Sequence, residues 1–180
     1  AICARAGFTR GAFYVHFEDR DDFIAAVMER VLGGFLDAII ATGNHAHDLA
    51  QTVTRFTEDV TRLTSGAQGA LLGLPVPGVG RAIQFHRLIE ACTRSARIRG
   101  RWVALVREAI ERVAKAADAG QVAGSVRSDI EAEPLGTLLV ALALGAVAAL
   151  ESGVPFDPAR ARDGVLTLLR PPRASTPRSK

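Results

Sequence analysis

The sequence predicts an all-α fold that opens on a helix-turn-helix pattern and continues into a larger helical domain. Three observations carry this. Nearly every segment repeats its apolar residues every three to four positions, and no run alternates long enough for a strand. Breakers fall between the periodic segments, at Thr42-Gly43-Asn44, through residues 66–80, and at Pro171, Pro172 and Pro177. Residues 2–17 have the spacing of two short helices on a tight turn.

After that pair, apolar doublets from Phe23-Ile24 to Ile39-Ile40 recur every fourth residue and predict a helix from Asp21 to Ile40. Four residues turn a helix by about 400°, so this stripe drifts by about 40° per doublet and must meet two different neighbours. Gly33-Gly34 lies midway and suggests a close contact or a hinge, because each glycine costs about 1 kcal/mol relative to alanine in a helix. Leu49, Val53, Phe56, Val60 and Leu63 mark one face of the next helix. Residues 66–80, rich in glycine and proline yet apolar, read as a lid or broken helix. Helices follow over Ile83–Cys92 and Ile98–Ala119, the second closed by Gly120. Asp129 is the expected cap of a helix over Glu131–Glu151, with Pro134 tolerated in its first turn. Asp157-Pro158 starts a last helix reaching Arg170, and a disordered basic tail covers 171–180.

With 180 residues, 48% hydrophobic and 23% charged, the chain has the make-up of one globular unit with a substantial core. Its uncharged apolar helical stretch, Leu135 to Leu150, is shorter than the roughly 18–20 residues that cross a bilayer, which predicts a soluble protein with no membrane partner. Cys3 and Cys92 stand alone in apolar helical patterns, so no disulfide framework or thiolate zinc site is expected and a reducing interior suits the chain. The net charge of +3 is weak evidence for nucleic acid: without the tail after Leu169 it falls to −1. The knot Arg94, Arg97, Arg99 and Arg101 reads as a solvated helix face.

Within residues 2–17, Gly7 is placed to end the first helix in the left-handed conformation, and Phe8 to plug the turn. Thr9 can cap the second helix, while Phe13 and Phe17, four apart, bury one side. At 100° per residue this leaves Gly11, Ala12 and Val15 outward, with Tyr14 and His16 on the flanks. A flat outer surface with polar rims can enter a major groove about 12 Å wide. Arg10, in the first turn, has the fork that matches guanine O6 and N7; Tyr14 and His16 are placed to donate to phosphates.

Residues 7–17, Gly-Phe-Thr-Arg-Gly-Ala-Phe-Tyr-Val-His-Phe, followed by Asp19-Arg20-Asp21-Asp22-Phe23, resemble the TetR family of bacterial transcriptional regulators. Arg20 stands where that family usually has lysine, at a helix start lying against the DNA backbone; Cys3 replaces a usual alanine and Ala12 a usual serine or threonine. The close match spans residues 1–24. The resemblance implies a DNA-binding unit with its connecting helix over 1–41 and a helical ligand-binding and dimerising domain over 42–170. It implies a cytoplasmic, nucleoid-associated bacterial regulator, a repressor by family default, that a small molecule releases from a palindromic operator. No cofactor is implied. Ala1-Ile2-Cys3-Ala4 reads as mid-helix, so the family's first helix and the beginning of its second are expected to precede this chain.

The segment Leu135–Leu150 is apolar all round, and a helix hydrophobic on every face must be covered on every face. This predicts a homodimer through 131–151 and 158–169, a four-helix bundle about a two-fold axis. An apolar or aromatic effector is expected beneath the glycine–proline stretch, with Phe56, Phe85, His86, Ile89, Trp102 and Val106 as candidate lining, although ordinary packing also accounts for each.

Other classes fare worse. His86 and Glu90 share a helical face while Cys92 points elsewhere, and no phosphate loop, nucleophile elbow or His-Glu-x-x-His pattern occurs, so an enzyme is not expected. His45, His47 and Asp48 lie where polar residues are ordinary near a helix end, and no metal is expected. A helical interaction module that does not bind DNA is the remaining alternative.

Overall fold

The structure, a computed structural model, describes residues 7, 9–40, 48–64 and 85–172. Seven α-helices and no strand occur among them: α1 (Arg10–His16), α2 (Arg20–Ile39), α3 (Leu49–Thr64), α4 (Phe85–Arg94), α5 (Ala96–Val122), α6 (Ala132–Glu151) and α7 (Pro158–Leu169). The all-helical expectation holds. Residues 1–6, the turn residue Phe8, the stretch 66–80 and the tail from residue 173 lie outside the described residues.

Long α5 is the spine, with α2 and α6 packed along it. Two apolar clusters result. Met28 and Leu32 of α2 meet Leu88 and Cys92 of α4 and Ile98 and Leu105 of α5. Ile39 and Ile40 at the other end of α2 join Leu49 of α3, Val113 and Ala117 of α5, Leu135 of α6 and Leu169 of α7. The drifting stripe of α2 therefore does meet two neighbours. Gly33 and Gly34 make no close contact: a Cβ at either would meet nothing within 4 Å.

Several ends differ from expectation. Gly120 does not close α5, which runs on to Val122; a Cβ there would fall 2.4 Å from Val126 Cγ2, so this glycine admits the returning chain. Gly124, at φ +72°, makes the left-handed turn instead. Asp129 does not cap α6. Its carboxylate pairs with Arg127 (Nε–Oδ1 2.7 Å), a hydrogen bond that holds the Asp129 pKa below the ordinary aspartate value, and Glu131 takes the cap position without a side-chain bond. The Asp157 cap stands, accepting from the Ala159 and Arg160 amides at 3.0 and 3.1 Å.

Helix α6 packs backbone to backbone on α5 through Gly136, where a Cβ would lie 2.9 Å from Ala114 N. Its 20 residues and mean hydropathy of 1.9 are enough, by length and composition, to cross a membrane. Counting from Leu135 underestimated it, because the helix starts at Ala132 and keeps its two glutamates at the ends. Opposite α5, Leu138, Ala141, Leu142 and Gly145 form an exposed apolar stripe about 100° wide, with both leucines 54% exposed.

Candidate functional site

Short α1 is built as its sequence prescribes. Gly7 has φ +73°, and Thr9 Oγ1 accepts from the Ala12 amide at 3.2 Å, satisfying one orphan donor of the first turn. Phe13 and Phe17 pack with Phe23 of α2 in a triangle of ring centroids 5.0–5.5 Å apart. That aromatic wedge, worth about 0.5–1.5 kcal/mol per pair beyond its burial, fixes α1 against α2. The opposite side faces solvent: Tyr14 is 67% and Val15 78% exposed, and Gly11 and His16 are exposed with them.

Ala12 departs from expectation by being half-buried. It lies 100° from Gly11 and 100° from Phe13, on the boundary between outer and inner faces. The Arg10 side chain lies outside the described residues. Arg20 is exposed at the first position of α2, on the rim of a shallow cleft between α2 and α4.

Behind α1, the turn carries Glu18, Asp19 and Asp22, and Arg97 of α5 reaches all three: Nη2 to Glu18 Oε2 at 2.7 Å, Nη1 to Asp22 Oδ1 at 3.6 Å and to Asp19 Oδ2 at 3.7 Å. Farther along, Arg101 lies 3.6 Å from Glu29 and Arg112 is 2.5 Å from Asp37. The arginine knot is thus not simply a solvated face, since two of its members, Arg97 and Arg101, tie α5 to α2 and to the turn that precedes it.

A cavity of about 630 Å³, within the range of small-molecule sites, lies among α2, α3, α5, α6 and α7 and the start of α4. Phe56, Phe85, Trp102 and Val106 line it as expected. His86 and Ile89 do not. The His86 ring turns outward, its Nδ1 3.2 Å from Glu151 Oε2, and Ile89 is 39% exposed. Glu151, at the end of α6, also accepts from the Phe85 and His86 amides at 2.8 Å each and so caps α4 from a distant part of the chain. No local signal in α4 could have placed that carboxylate.

Sequence reasoning missed Leu32, Leu36 and Ile39 of α2, Thr52 of α3 and much of α6 in the cavity wall. The α3 stripe was the available signal, because Thr52 falls on the same face as Leu49, Val53 and Phe56. Of the cavity's polar side chains, Thr57 bonds to the Val53 carbonyl and Arg162 to Asp163, leaving the wall almost wholly apolar. Among the described residues, no group of three or more His, Cys, Asp and Glu side chains could hold a metal ion; His45 and His47 lie outside them. Glu90 pairs with Arg94, and Cys92 is buried, its thiol pKa raised by that burial.

A short exposed helix after a left-handed glycine, a long connecting helix and further helices packed about a cavity make up this all-helical fold. Among solved structures, the chain is similar to E. coli NemR in its reduced form, with a TM-score of 0.71 and 17% identity, over 95% of this chain and 85% of that one. No family model and no curated protein matches the sequence.

Proposed function

We propose that this protein is a ligand-responsive, DNA-binding transcriptional regulator, a bacterial cytoplasmic repressor released from a palindromic operator by an apolar or aromatic small molecule. The observation that carries the reading is the outer surface of α1. Tyr14 and Val15 stand in solvent beside Gly11, on a helix anchored entirely from behind by the phenylalanine triangle. In this reading Val15 and Gly11 enter the groove, Arg10 reads a base edge, and Tyr14, His16 and Arg20 bond to phosphates. The likeness to NemR, a TetR-family-like regulator, supports it at the level of the fold.

Coupling runs through α2. Its Phe23 packs on α1, and its Leu32, Leu36, Ile39 and Ile40 line the cavity nine to seventeen residues on, so a ligand touching one half of the helix moves the other. Two recognition helices about 34–36 Å apart read a palindrome, which calls for a homodimer. The Leu138–Leu142 stripe of α6 with exposed Leu168 of α7 is the proposed contact, covered by a second copy and not by lipid. The protein acts by binding and catalyses no reaction.

The test is selection of genomic DNA fragments by protein expressed from its complete reading frame, with sedimentation on the same sample. A short inverted repeat and a dimer mass are expected. Recovery of no sequence-specific DNA would leave the interaction-module reading, and a concentration-independent monomer mass would remove the dimer.

A further inference from the structure

Helix α3 carries four threonines with described side chains, and one behaves differently. Thr54 donates to the Ala50 carbonyl at 2.8 Å, Thr57 to Val53 at 2.9 Å and Thr61 to Thr57 at 2.8 Å, each the usual bond to the carbonyl four residues back. The equivalent carbonyl for Thr52 is that of Asp48, which accepts only from the Thr52 amide at 3.1 Å. The Thr52 hydroxyl is buried, with the residue 6% exposed, and has no hydrogen-bond partner. It is the one buried side-chain oxygen or nitrogen in this state among the described residues. An unsatisfied buried hydroxyl costs free energy that a valine of the same shape would avoid. Thr52 lines the cavity, in the middle of the apolar stripe of α3.

We infer that Thr52 is the polar anchor of the cavity, and that the cavity takes an apolar ring or alkyl molecule carrying a single hydrogen-bonding oxygen, such as a phenol, alcohol or ketone. The inference rests on reading the cavity as the effector site and adds the chemistry of what enters it. Of the other polar side chains in the wall, Thr57 gives its proton to the Val53 carbonyl, Arg162 turns two N–H groups to Asp163 and Trp102 brings an indole N–H that can only donate, so a ligand with several polar groups would find few partners for them. One hydrogen-bonding oxygen on the ligand matches the Thr52 hydroxyl, the buried side-chain oxygen that has no partner among the described residues.

The test compares 1-naphthol with 1-methylnaphthalene, which replaces hydroxyl by a methyl of similar size, by titration calorimetry against the unmodified protein, Thr52→Val and Thr52→Ser. The account expects 1-naphthol to bind the unmodified protein and to lose about fivefold to tenfold in affinity on Thr52→Val, the range of one net hydrogen bond, while Thr52→Ser retains most of it. Binding of 1-methylnaphthalene should hold or improve in Thr52→Val, and the ligand-free Tm of that variant should rise. Equal effects of Thr52→Val on both probes, or none on either, overturn the anchor while leaving the cavity a binding site. A lowered Tm in Thr52→Val shows the hydroxyl already engaged and overturns it too. Failure of 1-naphthol to bind any of the three proteins overturns the proposed ligand class, whereas failure to select DNA bears only on the regulator reading.

Discussion

The α1 unit, proposed to meet DNA, and the cavity domain are held together in opposite ways. Three phenylalanines within eleven residues of one another fix α1 from one side and leave its other side free. The cavity is walled by residues of six helices, drawn from Leu32 to Val165. The proposed function accounts for the difference: a surface that must be presented needs one firm attachment, whereas a volume that must be enclosed needs many interchangeable apolar walls. The first is therefore sensitive to single changes in its anchor, and the second to changes that push its helices apart.

The sharpest way to separate the two regions is Phe17→Ala. The half-buried ring closes the aromatic triangle, and its removal is expected to cost about 2–3 kcal/mol, below the 3–5 of a fully buried phenylalanine. DNA binding should be lost with calorimetric binding of cavity probes retained; loss of both together would mean that the regions are not separable.

The double substitution Gly33→Ala with Gly34→Ala acts on the link between them. Both positions have room for a Cβ, so the change should stabilise by up to about 2 kcal/mol through helix propensity alone. A stiffer α2 should also blunt ligand-induced release of DNA. If operator affinity and ligand response are both unchanged, the hinge is removed from the account.

Gly136→Ala breaks the cavity domain specifically. The new methyl meets the Ala114 backbone and the Ile110 carbonyl at 2.9–3.0 Å, atoms that cannot swing aside, and overpacking outweighs the gain in helix propensity by about 1–2 kcal/mol. On the same helix Gly145→Ala, with nothing within 4 Å, should leave the fold intact, and chemical denaturation of the pair measures the contrast.

The smallest effect concerns Cys92. Burial raises its thiol pKa despite the opposing charge of Arg99, so the thiolate is scarcer at neutral pH than for a free cysteine. Iodoacetamide labelling of the Cys92 peptide, followed by mass spectrometry, should be slow at neutral pH and accelerate as pH rises. Labelling at the rate of a small-molecule thiol would place the side chain in solvent.

What could be read in the sequence follows the same division. Gly7 and Thr9 act within their own turn and Phe13 and Phe17 lie four apart on one face, so spacing alone assigned their roles, and the exposure of Tyr14 and Val15 followed, although Phe23, which closes the triangle, was not paired with them. Gly120 misled because a glycine that stops a helix and one that admits a passing chain look alike until Val126 is seen against it. Asp129 was drawn from its expected cap by Arg127, two residues away. His86 and Ile89 were misplaced because α4 is oriented by Glu151, a carboxylate 65 residues downstream of His86. Thr52 passed unnoticed because a threonine inside an apolar stripe looks ordinary until its neighbours' hydrogen bonds are compared with its own.

The most direct measurement is fluorescence anisotropy of a labelled operator, taken from the genomic selection, with the unmodified protein and with Val15→Glu. Val15 is 78% exposed, so the substitution should leave the Tm unchanged. A carboxylate on the insertion surface, facing the negatively charged duplex, should nonetheless weaken operator binding by about a hundredfold or more. Operator affinity in Val15→Glu equal to that of the unmodified protein would contradict the account, because the exposed face of α1 would then not be the surface that meets DNA.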